Sequence, residues 1–204
     1  MGLFDSLKRQ AENLLKTEVG KATNYAVNSV SKVAVSTAKS SKVTISKLPL
    51  NVSEMKQMPE FTLNDPLKVA TFAVAALDRY SANREDAKEM LNCLKGPEPL
   101  TNREIQFIND RFMDGKSYVT RSYFLGSSPE NDYTPATPYT AEITEQFNSR
   151  ENEGYIKLYI KSSGADSLRP ITLRYKPSSN EWFLWEFDSI LSGIRIPKST
   201  DKWA

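Results

Sequence analysis

The hydrophobic period of this chain changes at about Lys116, and that change limits its fold more than any other feature. Before it, apolar residues recur every three or four positions, the repeat of a helix face. After it they alternate, and Tyr, Thr, Ile and Trp replace Ala and Leu. Helices first and strands afterwards is the order of an α+β domain, in which a helical block packs on one face of a sheet. The spacing predicts helices over about 65–114 and strands near 139–147, 155–161, 171–176 and 182–187, with a further short strand at 43–46. Short connections between successive strands make the sheet a mostly antiparallel meander of four to five strands.

The helix boundaries carry their own signals. Asp65-Pro66 places an N-cap before a proline at the first helical position, and Val69, Phe72, Ala73, Ala76, Leu77 and Tyr80 supply a wide apolar face, so this helix is expected to be the most buried. Asn83 caps the next, with Ala87, Met90, Leu91 and Leu94 inward and Gly96-Pro97 as its stop. Thr101 to Glu104 reads as a capping box launching a third helix through Ile105, Ile108 and Phe112.

The α+β domain is expected over residues 43–204, preceded by an arm at 1–40. Leu3, Leu7, Leu14 and Leu15, followed by Val19, Ala22, Ala26 and Val30, repeat with helical spacing, which predicts an amphipathic helical arm. The formal net charge is +2, but the first fifty residues hold eight Lys and Arg against three acids, and the remainder 19 against 22. An arm with a thin apolar stripe and excess cations needs a partner: another protein, a second copy, or an anionic membrane surface. Leu3, Phe4, Leu7, Leu14 and Leu15, with Lys8, Arg9 and Lys16, would make that contact. No apolar run long enough to span a bilayer occurs, and Asp5, Lys8, Arg9 and Glu12 interrupt every candidate leader. The expected location is cytoplasmic, including the inner membrane surface.

The chain contains no histidine and one cysteine. Catalysis by Ser-His-Asp or Cys-His groups and zinc sites built from His and Cys are therefore excluded. Neither a cofactor nor a metal is expected. Cys93 reads as a packed helical residue.

Strict alternation sorts the strands into a core set, Ile156/Leu158/Ile160, Ile171/Leu173 and Phe183/Trp185/Phe187, and an opposite face with Tyr155, Lys157, Tyr159, Lys161, Thr172, Arg174, Lys176, Trp182 and Glu186. Aromatic rings beside cations can stack nucleobases and hold phosphates, although an ordinary solvated sheet face uses the same residues. The connection from Ser162 to Pro170 is richer in functional groups than a turn requires. Ser163 and Gly164 offer backbone amides, and Asp166 lies close enough to Arg169 in sequence to pair with it. With Tyr159, Arg174 and Trp182, these form the candidate ligand-binding set.

Four segments carry a family resemblance: Met90-Leu91-Asn92-Cys93-Leu94-Lys95-Gly96-Pro97, Asn131-Asp132-Tyr133-Thr134-Pro135, Lys157 through Ser167 with its Ser-Ser-Gly-Ala-Asp-Ser run, and Trp182-Phe183-Leu184-Trp185-Glu186. Together they resemble an uncharacterised, domain-of-unknown-function family of bacterial proteins of Firmicutes type, over roughly residues 43–204. The resemblance implies a bacterial protein and brings no activity with it. The expected function is a non-enzymatic binding or scaffold role exercised through the arm. A small-ligand site or enzyme at the Asp166/Arg169 loop is the alternative, and nucleic-acid binding through the Tyr/Lys face is the third reading.

Overall fold

The computed structural model describes residues 38–203. The arm residues Leu3, Phe4, Leu7, Lys8, Arg9, Leu14, Leu15 and Lys16 lie outside them. The fold is α+β. Strand β1 (Lys39–Ile45) comes first, followed by helices α1 (Val52–Gln57), α2 (Pro66–Asp78), α3 (Arg84–Lys95), α4 (Asn102–Arg111) and α5 (Tyr118–Arg121). Strands β2 (Tyr139–Glu145), β3 (Tyr155–Ile160), β4 (Arg169–Lys176) and β5 (Glu181–Glu186) complete it. The sheet runs β1-β2-β3-β4-β5, every neighbour antiparallel. The sheet therefore has five strands, and the first pairs with the second across the whole helical block.

The caps explain where the helices begin. Asp65 accepts from Leu67 N at 2.9 Å, Asn83 from Glu85 N and Asp86 N, and the Thr101–Glu104 capping box forms in both directions. Asn51, part of an Asn-Val-Ser sequon, caps α1 by accepting from Glu54 N. Every residue of α2 from Val69 to Leu77 is buried, Thr71 included, and the Thr71 hydroxyl returns its hydrogen bond to Leu67 O. A helix enclosed on all sides lies at the centre of its domain, between the sheet and the other helices. Cys93 is half-buried on α3 and packs on the core, where burial pushes its thiol pKa up.

Three expectations are corrected. The first strand begins at Lys39, and so Lys39, Lys42 and Lys47 belong to the domain, Lys47 forming an ion pair with Glu54. Residues 1–37 then hold five cations against three acids, a net +2 by sequence, and two of the three lysines that make the difference, Lys39 and Lys42, lie on an edge strand. Lysines on an edge discourage further strand pairing. Next, strand β2 ends at Glu145 instead of 147, and Phe147 is 76% exposed in the turn.

The third correction concerns β5. Thr172 pairs with Glu186 but Leu173 with Leu184, a bulge that leaves Trp185 unopposed. A bulge adds one residue and breaks the two-residue alternation. Trp182 and Leu184 therefore face the core, Phe183, Trp185 and Glu186 face outward, and Phe187 returns inward with Leu184 and Phe187 both 1% exposed. The expected faces of Trp182, Phe183 and Trp185 are thus exchanged, while those of Phe187 and Glu186 stand.

Gly96, just past α3, holds this outer edge in place. Its φ is +63°, and a Cβ there would overlap the Phe183 ring. Both the backbone and the space demand glycine. We expect Gly96→Ala to lower stability by about 1–3 kcal/mol, from the left-handed backbone and the overpacking together. Urea denaturation of the variant beside the parent checks this, and an unchanged midpoint would refute the contact.

Candidate binding cleft

The outer face of the sheet is built in cross-strand rows. Tyr159 opposes Pro170, Lys157 opposes Thr172, which opposes Glu186, and Tyr155 opposes Arg174, which opposes Phe183. At the β5 end of these rows the Gly96–Thr101 connection and the start of α4 rise as a wall. Between wall and sheet lies a cleft of about 650 Å³, whose lining includes Lys95, Arg103, Glu104, Phe107, Lys157, Thr172, Trp185, Glu186 and Asp188.

The bulge turns Trp185 into this cleft. There the ring is braced: the Arg174 guanidinium lies 4.9 Å from its centroid and 5.7 Å from that of Tyr155, and the two rings meet edge to face at 5.7 Å. Glu98 accepts from Arg174 Nη1 at 3.1 Å and fixes the far end of the guanidinium. Cation–ring and ring–ring contacts each favour particular geometries, so these neighbours orient the Trp185 ring.

The wall is equally set. Lys95 is only 7% exposed, its Nζ donates to Glu104 Oε1 at 2.7 Å, and it stands 6.0 Å from the Phe187 ring centroid. Glu104 Oε2 accepts from the Thr101 N–H and hydroxyl, both at 2.8 Å. Burial pulls the Glu104 carboxyl pKa upward, but the hydrogen bonds from Lys95 and Thr101 outweigh it and leave the group below its ordinary value. Across the cleft, Thr172 Oγ1 donates to Glu186 Oε2 at 3.1 Å.

Of the ligand-binding set expected from sequence, Arg174 lies in this platform and Tyr159 on the same face one row beyond Thr172. Trp182 does not join them. It is on the core side, its ring tilted against that of Tyr175 at 4.8 Å, and its backbone N–H donates to Leu63 O, which covers the β5 edge. Asp166 does not pair with Arg169 either. It is 92% exposed along its side chain and pairs with Arg195 at 2.8 Å, whereas Arg169 donates to Gly193 O and Ser167 Oγ.

Ser163 and Gly164 are structural in their immediate contacts. Ser163 N and Oγ both donate to Ser122 O, and a Cβ at Gly164 would overlap the Tyr133 hydroxyl. Tyr133 is fully buried with φ +55°, beside Asp132 at φ +51°, and its hydroxyl donates to Arg195 O at 2.7 Å. Burial pushes the Tyr133 phenol up to about 12. Two consecutive left-handed non-glycine residues persist only where surrounding contacts fix them, and here the ring and its hydroxyl do so. A second hollow of about 710 Å³ opens beside this loop, with Ser163, Arg195 and Lys198 in its lining.

Lys95, Glu104, Trp185 and Arg195 lie outside the ligand-binding set expected from sequence, Trp185 because alternation alone assigns it to the core. A signal existed for Glu104, in the capping box, and for Lys95, as the last cation of a helix ending at Gly96. None existed for Arg195, which meets Asp166 across 29 residues of chain. Among the described residues no group of three or more His, Cys, Asp or Glu side chains is arranged to hold a metal, and no helix is long and apolar enough to cross a membrane.

The depressed Glu104 carboxyl makes a prediction. A carboxylate whose folded-state pKa lies below its unfolded value stabilises the protein above the unfolded pKa and loses that contribution as pH falls through the folded one. Glu104→Gln should therefore be less stable than the parent near pH 7, and the gap should close as pH drops below the ordinary glutamate range. Thermal unfolding of both proteins across pH 3–7 checks it; a gap independent of pH would show that the charge contributes nothing.

No curated protein and no solved structure matches the chain. A family model does, over residues 47–198, and that span takes in every strand except the first, all five helices and the whole cleft. By that match the chain belongs to the family described as a domain of unknown function, DUF6935.

Proposed function

We propose that this is a non-enzymatic binding protein that takes its ligand in the cleft over the outer face of β3, β4 and β5. One observation carries the reading: Trp185, turned outward by a bulge, is clamped by Arg174, Tyr155 and Glu98 at the edge of an open cleft. An aromatic ring held rigid at the surface contributes binding area without a further ordering cost, which is what binding surfaces select. The cations of this face are partly offset, Arg174 by Glu98 and Lys161 by Glu142 at 3.4 Å. That weakens the case for a polyanion such as nucleic acid, whose affinity comes chiefly from unpaired positive charge.

The hollow beside Ser163, Arg195 and Lys198 supports a second reading, in which a small ligand or substrate sits at the Asp166 loop. The arm adds a separate contact. Its stripe Leu3, Phe4, Leu7, Leu14 and Leu15 with Lys8, Arg9 and Lys16 would engage a protein partner, a second copy or an anionic membrane surface. A cytoplasmic protein acting in part at the inner membrane surface fits that contact.

Amide NMR spectra of the full chain mixed in turn with peptides, saccharides and nucleotides distinguish the two sites. Shifts are expected to cluster at 95–104, 157, 172 and 185–189. Clustering at 162–169 and 195 would move the site to the Asp166 loop, and no response to any class would overturn the cleft. For the arm, Leu7→Glu combined with Leu14→Glu in the full chain is expected to abolish flotation with anionic vesicles or to reduce oligomer size in light scattering. No change in either would refute it.

A further inference from the structure

The geometry points to a neutral, polyhydroxylated saccharide as the ligand of the cleft. The inference rests on the reading of that cleft as a binding site and concerns the chemical class of what fills it.

The lining is polar and balanced in charge. Three of its charged residues are paired within the protein, Lys95 with Glu104 and Glu98 with Arg174, which lies outside the lining. The cleft then presents Arg103 and Lys157 as donors and Glu186 and Asp188 as acceptors, all four exposed, two of each sign. An anionic ligand would meet the two carboxylates, and a cationic one the two cations, so either gains on one side and loses on the other. A hydroxyl both donates and accepts, so a polyol satisfies both sets at once. Of the hydroxyls in the lining, Thr101 gives its proton to Glu104 and Thr172 to Glu186, which leaves Ser189 to donate and accept.

Trp185 supplies the other half of sugar recognition. A pyranose has one face rich in C–H groups, weakly positive, and an indole face is weakly negative, so the two stack while the sugar's rim of hydroxyls reaches the flanking charges. Arg174 lies over Trp185 and lines only the neighbouring hollow, whereas Trp185 lines the cleft as well. A peptide fits less well. An extended peptide gains its affinity by joining a strand edge or by filling apolar recesses, and here the β5 edge is engaged at Trp182 by Leu63 O, while the floor row is Lys157, Thr172 and Glu186.

The test uses the full chain and named probes: maltohexaose, cellohexaose and chitohexaose as neutral saccharides, a tryptic digest of casein as the peptide probe, and inorganic phosphate as the anion. Binding is followed by tryptophan fluorescence and amide NMR. At least one saccharide is expected to bind saturably with a Kd of about 1 mM or tighter, with little dependence on salt because the ligand carries no charge. Trp185→Ala should weaken it about tenfold or more, the scale of one aromatic contact. Glu186→Gln and Lys157→Ala, at exposed positions where the fold is not at risk, should each weaken it severalfold. Binding of the casein digest or of phosphate at the same residues, with none of the saccharides binding, would overturn the ligand class and leave the cleft standing. Saccharide binding indifferent to Glu186→Gln and Lys157→Ala would also overturn the inference, by placing the site elsewhere. Silence from every probe would overturn both the inference and the reading it rests on.

Discussion

The fold depends on the pairing of β1 with β2. Seven residues of β1, Lys39 to Ile45, run antiparallel to the seven of β2 from Glu145 back to Tyr139. The whole helical block hangs between them as one closed excursion. Closing so long a loop costs entropy that rises only slowly with length, but it must be met before the contacts inside it return anything. What returns it is α2, enclosed from Val69 to Leu77, which fills the space between that sheet and the remaining helices. Strand and helix are thus mutually dependent. α2 reaches β1, β3, β4 and β5, so the burial of the helix and the closure of the sheet support one another.

Much of this architecture is legible locally, because local chemistry decides it. Asp65-Pro66, Asn83 and the Thr101–Glu104 box each satisfy helix amides within a few residues. The alternation of β3 and β4 sorts inside from outside without reference to partners, and Ile156, Leu158, Ile160, Ile171 and Leu173 are buried. What was illegible depends on residues far apart. The bulge in β5 exists because of its pairing with β4, so no count along β5 alone reveals that Trp182 turns in and Trp185 out. Asp166 has Arg169 nearby in sequence but Arg195 nearby in space. The candidate cleft suffers most from this, since it is assembled from a helix end, a capping box and three strands.

The four segments that carry the family resemblance meet in two pairs. Gly96, closing the first, lies against Phe183 of the fourth, and Tyr133 of the second lies against Gly164 of the third. In each pair a glycine makes room for an aromatic ring from the other segment. The first contact ties the helix end to the edge strand under the cleft wall. The second ties the Ser163 loop to the left-handed turn at Asp132 and Tyr133 and, through Arg195 O, to the chain's last stretch. Neither contact does chemistry; both fix loops that border a hollow.

The bulge at Trp185 also separates two kinds of change that a strand ordinarily suffers together. Past Leu184 the core pattern is offset by one residue, and Phe187 reaches the interior only because of the offset. The outward pair, Trp185 and Glu186, can therefore differ in identity between relatives without disturbing anything beneath the sheet. The number of residues between Leu184 and Phe187 has no such freedom. This edge is open to substitution, while insertion and deletion are closed to it.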